Sequence, residues 1–192
     1  YKLKGLSIFL AVWVDDLLLA YHRQHAKEAA AVFDGLKAAF KMHMLGDVND
    51  LLGATVTRDR VNRRISIDQS KPVVALLLKA GFSDCTPVPT PVATSCTFTK
   101  ADCPQTDSEH EIVGADATWY RSILASCIYM MMWTRPDIAF AVSKLSKFMH
   151  NPGTKHIQAL KRLLRYLKGT TGHCLKYDFS LPPPRSGVYG YY

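Results

Sequence analysis

The passage Ile8-Phe9-Leu10-Ala11-Val12-Trp13-Val14-Asp15-Asp16-Leu17-Leu18-Leu19-Ala20 constrains this chain more than any other. Two apolar runs flank a pair of adjacent carboxylates. A membrane span needs roughly 18 apolar residues, and a carboxylate in hydrocarbon is expensive, so Asp15 and Asp16 exclude one here. Lys2 and Lys4 ahead of Leu6–Val14 give the outline of a signal peptide, but no small-residue cleavage site follows. The residues read instead as two strands, Ser7–Val14 and Leu17–Ala20, with Asp15-Asp16 at the turn of a hairpin. Flanks this apolar predict a largely buried hairpin, where two neighbouring charges repel and lose hydration. A divalent cation would resolve both problems, because Mg²⁺ takes carboxylate oxygens and keeps waters for a phosphate substrate. Asp is also an ordinary turn residue. The residues alone leave both readings open, and spacing designates no third carboxylate beside the pair.

At 192 residues the chain can form one large domain or two small ones. It opens Tyr-Lys-Leu-Lys without Met, as a piece of a longer protein would. Periodicity predicts an Ala-rich helix over His25–Met42, with Ala29, Phe33, Leu36 and Phe40 on one stripe. Strands at Leu51–Thr57 and Arg64–Asp68 follow, joined by a polar tip. Ser70 is expected to cap a helix that holds Pro72 in its first turn and stops at Gly81. From Ser83 to about Ala115, alternating Pro87, Pro89 and Pro91 and then Ser, Thr and acids predict a flexible connector. Three helices complete the pattern: Thr118–Trp133, one opened by Arg135-Pro136-Asp137 with Met149 in step, and one capped by Thr154 and ending near Gly169. Strands before helices indicate an α+β chain.

Charge is placed unevenly. Arg135–Lys176 holds nine basic residues and one acid, so the entire net charge of +8 falls there, and the remainder balances at fifteen of each sign. Such asymmetry suits a face that meets a polyanion. On the last helix Ile157, Leu160, Leu164 and Leu167 form an apolar side, while Lys161, Arg162, Arg165 and Lys168 form a basic one. That basic side is either a solvated surface or a contact for phosphates, without base readout. Five cysteines without Cys-x-x-Cys spacing predict neither a disulfide framework nor a zinc ribbon, and a reducing compartment is the default.

Trp13-Val14-Asp15-Asp16 resembles the Tyr-x-Asp-Asp motif in the palm of reverse transcriptases. Further motifs follow in the order typical of copia-type retrotransposon polymerases. Met44-Leu45-Gly46-Asp47 with Leu51-Leu52-Gly53-Ala54 is similar to a "DLG…FLG" stretch, and Ile67-Asp68-Gln69-Ser70-Lys71 to "LSQ-x-Y". Then come Pro89-Thr90-Pro91, Tyr120-Arg121-Ser122-Ile123-Leu124, Thr134-Arg135-Pro136-Asp137-Ile138-Ala139 and Arg165-Tyr166-Leu167-Lys168-Gly169-Thr170. The resemblance runs from about Gly5 to Tyr177. Trp13 stands where the family has Tyr, and Leu52 where it has Phe.

The resemblance implies a fragment of an RNA-directed DNA polymerase from a Pol polyprotein. Residues 1–82 would be the C-terminal part of the palm, 83–115 the flexible connector, 116–170 a helical, basic, thumb-like region, and 171–192 the start of a connection to an RNase H domain. It implies two-metal nucleotidyl transfer with Mg²⁺ or Mn²⁺ in the complete parent enzyme. Asp15 and Asp16 would be catalytic metal ligands, with Trp13, Leu52 and Gly53 on the primer side. Lys161, Arg162, Arg165 and Lys168 would bind the RNA/DNA template-primer through phosphates. In the family a third carboxylate and the fingers lie upstream, so the isolated chain is expected to be inactive. The implied setting is intracellular, in a virus-like particle or the nucleus, with no membrane. The alternatives are a non-catalytic nucleic-acid-binding remnant and an inert fragment of a degenerate element.

Overall fold

In the computed structural model, which describes residues 1–180 apart from Lys4 and Ser95, the two apolar runs do pair. β1 (Ile8–Trp13) and β2 (Asp16–Tyr21) are antiparallel, with Ile8 opposite Tyr21 and Trp13 opposite Asp16. The turn is Val14-Asp15, and Val14 takes a left-handed φ of 54°. Asp16 is therefore the first residue of β2 rather than half of the turn. A two-residue loop with positive φ matches the twist of its strands, which explains the one-residue shift.

Residues 1–48 form one compact unit. A single 3-10 turn, Arg23–His25, leads into α1 (Ala26–Ala39), which packs against β2. Ile8 and Ala29 are buried, but Phe9, Val12, Trp13, Val14 and Tyr21 are exposed. The largely buried hairpin that its flanks predict is thus corrected. α1 covers one side with half-buried Val32, Phe33 and Leu36, and nothing comparable in the described part of this unit covers the other. The helix also ends earlier than expected, so Phe40 adopts extended backbone, leaves the apolar stripe and is exposed.

The second unit holds a four-stranded antiparallel sheet in the order β3 (Asp50–Leu51), β4 (Ala54–Asp59), β5 (Arg64–Asp68), β6 (Cys174–Asp178). The continuous strand expected over Leu51–Thr57 is broken at Leu52-Gly53, whose φ of 49° and 75° make a tight mirror-image turn. At the other end of β4, Asp59 accepts hydrogen bonds from the backbone N–H (2.9 Å) and side-chain amide (2.6 Å) of Asn62, which fixes the tip. α2 (Ser70–Ala80) begins beneath Asp68, whose Oδ1 accepts from the Ser70 N–H and hydroxyl. The N-cap position is therefore Gln69, not Ser70, and the side-chain acceptor comes from Asp68 before it. Gly81, at φ 74°, closes the helix.

α3 (Asp107–Trp133) starts far ahead of the expected Thr118. Thr106 and Glu109 form a capping box at its N-terminus. Residues expected to belong to the connector therefore enter a helix. The preceding stretch is anchored as well: Val88, Val92 and Phe98 are half-buried against the core. A 3-10 turn, Pro136–Ile138, precedes α4 (Ala139–Ser146), which stops short of Met149, and α5 (Thr154–Gly169) completes the helices. The core lies among α2, α3, α4 and α5, with Leu76, Ile123, Leu124, Leu145, Leu160 and Leu164 at its centre. The apolar side foreseen on α5 is buried as expected: Ile157, Leu160, Leu164 and Leu167 are at most 2% exposed. β6 then returns to pair with β5, so what reads in sequence as the start of a connection is partly sheet. Residues 181–192 of that expected segment lie outside the described residues. Helices and antiparallel sheets together make the chain α+β, and no described helix is long and apolar enough to cross a membrane.

Candidate functional site

The paired carboxylates stand at the end of the β1–β2 hairpin. Asp15 occupies the second turn position and Asp16 pairs with Trp13, which is 63% exposed. Both aspartates are exposed, and among the described residues neither has a hydrogen-bond or ion-pair partner. Two adjacent, open oxygen donors are the chemistry that Mg²⁺ prefers. Among the described residues, however, no group of three or more His, Cys, Asp or Glu side chains could hold a metal. The donor set is partial, and no reaction step follows from it in this chain.

Leu52 and Gly53 form the β3–β4 turn. The Tyr129 hydroxyl, on α3, donates to the Leu52 carbonyl and ties the turn down. A Cβ at Gly53 would lie 3.9 Å from that hydroxyl, an ordinary contact. The left-handed φ of 75° at Gly53 is the conformation that favours glycine here.

The basic side of α5 is not the free surface that helical spacing draws. Arg165 Nε donates to the Thr86 carbonyl at 2.7 Å, and Arg162 Nη2 to the Thr90 hydroxyl at 2.8 Å. Arg162 Nε is buried without a partner. The Lys161 ammonium lies 6.0 Å from the centroid of Trp119, and Lys168 is exposed. Two arginines thus clamp the Pro-rich segment onto the helix. Pro87 reaches Gly169 so closely that a Cβ there would sit 3.0 Å from the proline ring. Sequence periodicity sees a helix alone and cannot see a strap that later lies across it.

Motifs far apart in sequence converge in a buried network that sequence reasoning missed. The Arg135 side chain is 1% exposed. Its Nε and Nη2 donate to the Asp137 carboxylate at 3.0 and 2.8 Å, and Nη1 and Nη2 donate to the Thr170 carbonyl (3.1 Å) and hydroxyl (2.6 Å). The Tyr166 hydroxyl donates to Asp137 at 2.8 Å. Burial raises the Asp137 carboxyl, but the Arg135 guanidinium and Tyr166 outweigh it and hold the group below its ordinary range. Nearby, Thr134 donates to Gln69 at 2.8 Å. The stretch 134–139 therefore binds both the 67–71 stretch and the 165–170 stretch. An Arg and an Asp on either side of a proline, followed by Tyr-x-x-x-Thr, was the available signal. These groups fix the packing of helices and leave no open site.

Lys155 adds a further tie, reaching Asp102 at 3.0 Å. The Thr99 backbone N–H and the Lys155 ammonium lower the Asp102 carboxyl to about 2. Of the nine cations between Arg135 and Lys176, Arg135, Lys155, Arg162 and Arg165 are thus committed within the fold.

Over 176 residues, 91% of its length, the chain is 37% identical to the retrovirus-related Pol polyprotein from transposon TNT 1-94 of Nicotiana tabacum. It is 34% identical over 171 residues to the corresponding polyprotein from transposon RE1 of Arabidopsis thaliana. The chain spans only 13% and 11% of the lengths of these two relatives. An uncharacterized mitochondrial protein of Arabidopsis thaliana is 31% identical over 170 residues, and the match covers 64% of it. No family model matches the chain. No solved structure matches it.

Proposed function

Because the chain is kin to a segment of retrotransposon Pol polyproteins over 86–91% of its length, we propose that it is the reverse-transcriptase part of such a polyprotein, of copia type. It would contain the later portion of the palm and a helical thumb. The observation that carries this reading is the pair Asp15-Asp16, exposed and unpartnered among the described residues, where the Val14-Asp15 turn enters β2 of an antiparallel hairpin. A carboxylate pair so placed serves no fold-stabilising contact, and it suits phosphoryl-transfer chemistry on a nucleic-acid end.

In the longer polyprotein, Asp15 and Asp16 would hold a divalent ion together with a carboxylate from elsewhere in that protein. Such an ion supplies positive charge to the attacking hydroxyl and the leaving phosphate. Trp13, exposed beside Asp16, would lie against the primer end. The rigid Leu52-Gly53 turn would bear on the primer backbone. The helical unit would follow the template-primer through phosphates, with Lys168 as its open cation on α5.

The test is primer extension on an RNA template by the longer polyprotein in Mg²⁺, beside its Asp15→Asn and Asp16→Asn variants. Both variants should fall to background while they keep the circular dichroism of the parent. Extension at the parental rate by either variant would defeat the reading.

A further inference from the structure

At the end of the sheet remote from the Leu52-Gly53 turn, the β4–β5 hairpin and β6 bring cations and aromatic rings together. Arg58, Ile65 and Tyr177 are direct neighbours across β4, β5 and β6, and so share one face. Tyr177 is 47% exposed and Arg58 is exposed. Phe179, two residues beyond Tyr177 and therefore on the same side by strand alternation, is 52% exposed. Its N–H donates to the Arg63 carbonyl at 2.9 Å, which prolongs the pairing past the end of β6.

The neighbouring carboxylates are already engaged. Asp59 is held by both bonds from Asn62, and Asp178 by Arg64 at 2.7 Å and by Ser180. Among the described residues no carboxylate pairs with Arg58 or Arg63. Arg63 is fixed at a φ of 54° at the hairpin tip. Large apolar rings left in water cost free energy unless something covers them.

We propose that Arg58, Arg63, Tyr177 and Phe179 form a binding platform for single-stranded nucleic acid. Rings at alternate positions of a strand stand about 7 Å apart and offer two stations for stacking bases. The guanidinium forks beside them suit phosphate oxygens. Stacking needs an open base face, which a duplex hides, so the ligand is a single strand and its recognition tolerates any sequence. The nature of this ligand rests on the polymerase reading above, but the platform lies on other residues than the Asp15-Asp16 pair. It places a second cationic surface where the overall charge balance of the sequence shows none.

The experiment is fluorescence anisotropy of a labelled short uridine oligomer titrated with the 192-residue chain. Tyr177→Ala and Phe179→Ala should each weaken binding roughly fivefold or more. Arg58→Gln with Arg63→Gln should reduce the log–log salt slope by roughly 1.4. Lys144→Gln, on α4, should do neither more nor less than remove one distant charge. Photo-crosslinking of thiouridine oligomer to the unsubstituted chain serves where a variant fails to fold, and should label the segments 58–65 and 174–180. Binding that survives all four substitutions, or crosslinks confined to other segments, overturns the platform and leaves the polymerase reading standing. Loss of primer extension in the longer polyprotein on replacing Asp15 or Asp16, whatever happens here, reports on that reading alone. Binding of anionic vesicles without any binding of the oligomer overturns the platform as well.

Discussion

Removing the Asp137 carboxylate should be among the most damaging single changes in the helical unit. The guanidinium of Arg135 is all but inaccessible, with a 1% exposed side chain, and the carboxylate is its one charged partner among the described residues. In Asp137→Ala the cation keeps its two bonds to Thr170 but loses its counter-charge, and the Tyr166 hydroxyl loses its acceptor. Stranding one member of a buried pair costs about 3–5 kcal/mol. The 31% exposure of Asp137 admits water and argues for the lower half of that range. Set against a total stability of about 5–15 kcal/mol for a domain, this is a large loss. Urea denaturation followed by far-ultraviolet circular dichroism would read it as a lower midpoint at unchanged slope. Adding Arg135→Met to Asp137→Ala should restore part of the loss, because the stranded charge is then gone. The pH dependence has a defined sign. The folded carboxyl lies below its ordinary value of 3.8, so the native state binds fewer protons between the two values and stability rises with pH there. The pair's contribution is full above about pH 4 and is lost as pH falls through the lowered value. A deficit in Asp137→Ala of less than about 1 kcal/mol at pH 7 would refute the view that this network is a cohesive centre of the fold.

Gly153 sits where a Cβ would lie 1.9 Å from the Asp102 carbonyl oxygen, so Gly153→Ala should cost about 1–3 kcal/mol or more in the same urea assay, whereas Gly172→Ala, facing open space, should stay within about 0.5 kcal/mol of the parent. His156 is fully buried, stacked on Phe148 at 4.1 Å, with Nδ1 accepting from the Gly153 N–H. Burial lowers its pKa, so its stabilising effect is present above about pH 6.5 and fades as pH falls through the lowered value; thermal midpoints from pH 8 to pH 5 should show this, and a flat profile would contradict it. Leu52 has a φ of 49° ahead of Gly53, and Leu52→Asn, which makes the preferred Asn-Gly turn, should raise stability by about 0.5–1 kcal/mol; a lowered melting temperature would count against that turn geometry.

Local chemistry was readable where it acts alone. The two apolar runs around Asp15 specify a hairpin, and the spacing of Ile157, Leu160, Leu164 and Leu167 specifies the buried side of α5. What a residue does against a distant partner was not readable. Arg162 and Arg165 share a helical face with Lys168, yet their bonds go to Thr86 and Thr90, more than seventy residues away. β6 is short, and its five residues carry one clear alternation of side chains, so pairing with β5 rather than local pattern decides it. Thr106-x-x-Glu109 was a legible cap, hidden by the Pro- and Thr-rich texture around it. For the acid pair, sequence supplied the residues and the hairpin; the structure moved the turn back by one residue, to Val14-Asp15, and changed the pair's setting from buried to open.

The pairing of β5 with β6 closes an excursion in which Arg64 and Asp178 meet across 114 positions of sequence. Synthesis proceeds from the N-terminus, so a nascent chain exposes β5 as an unpaired edge until all the helices have been made. An open edge is a template for pairing with another chain. A frameshift or stop codon between α5 and Cys174 would therefore do more than shorten the product. It would leave each copy with β5 as an open edge beside a formed helical core, a template on which a strand of another copy could add.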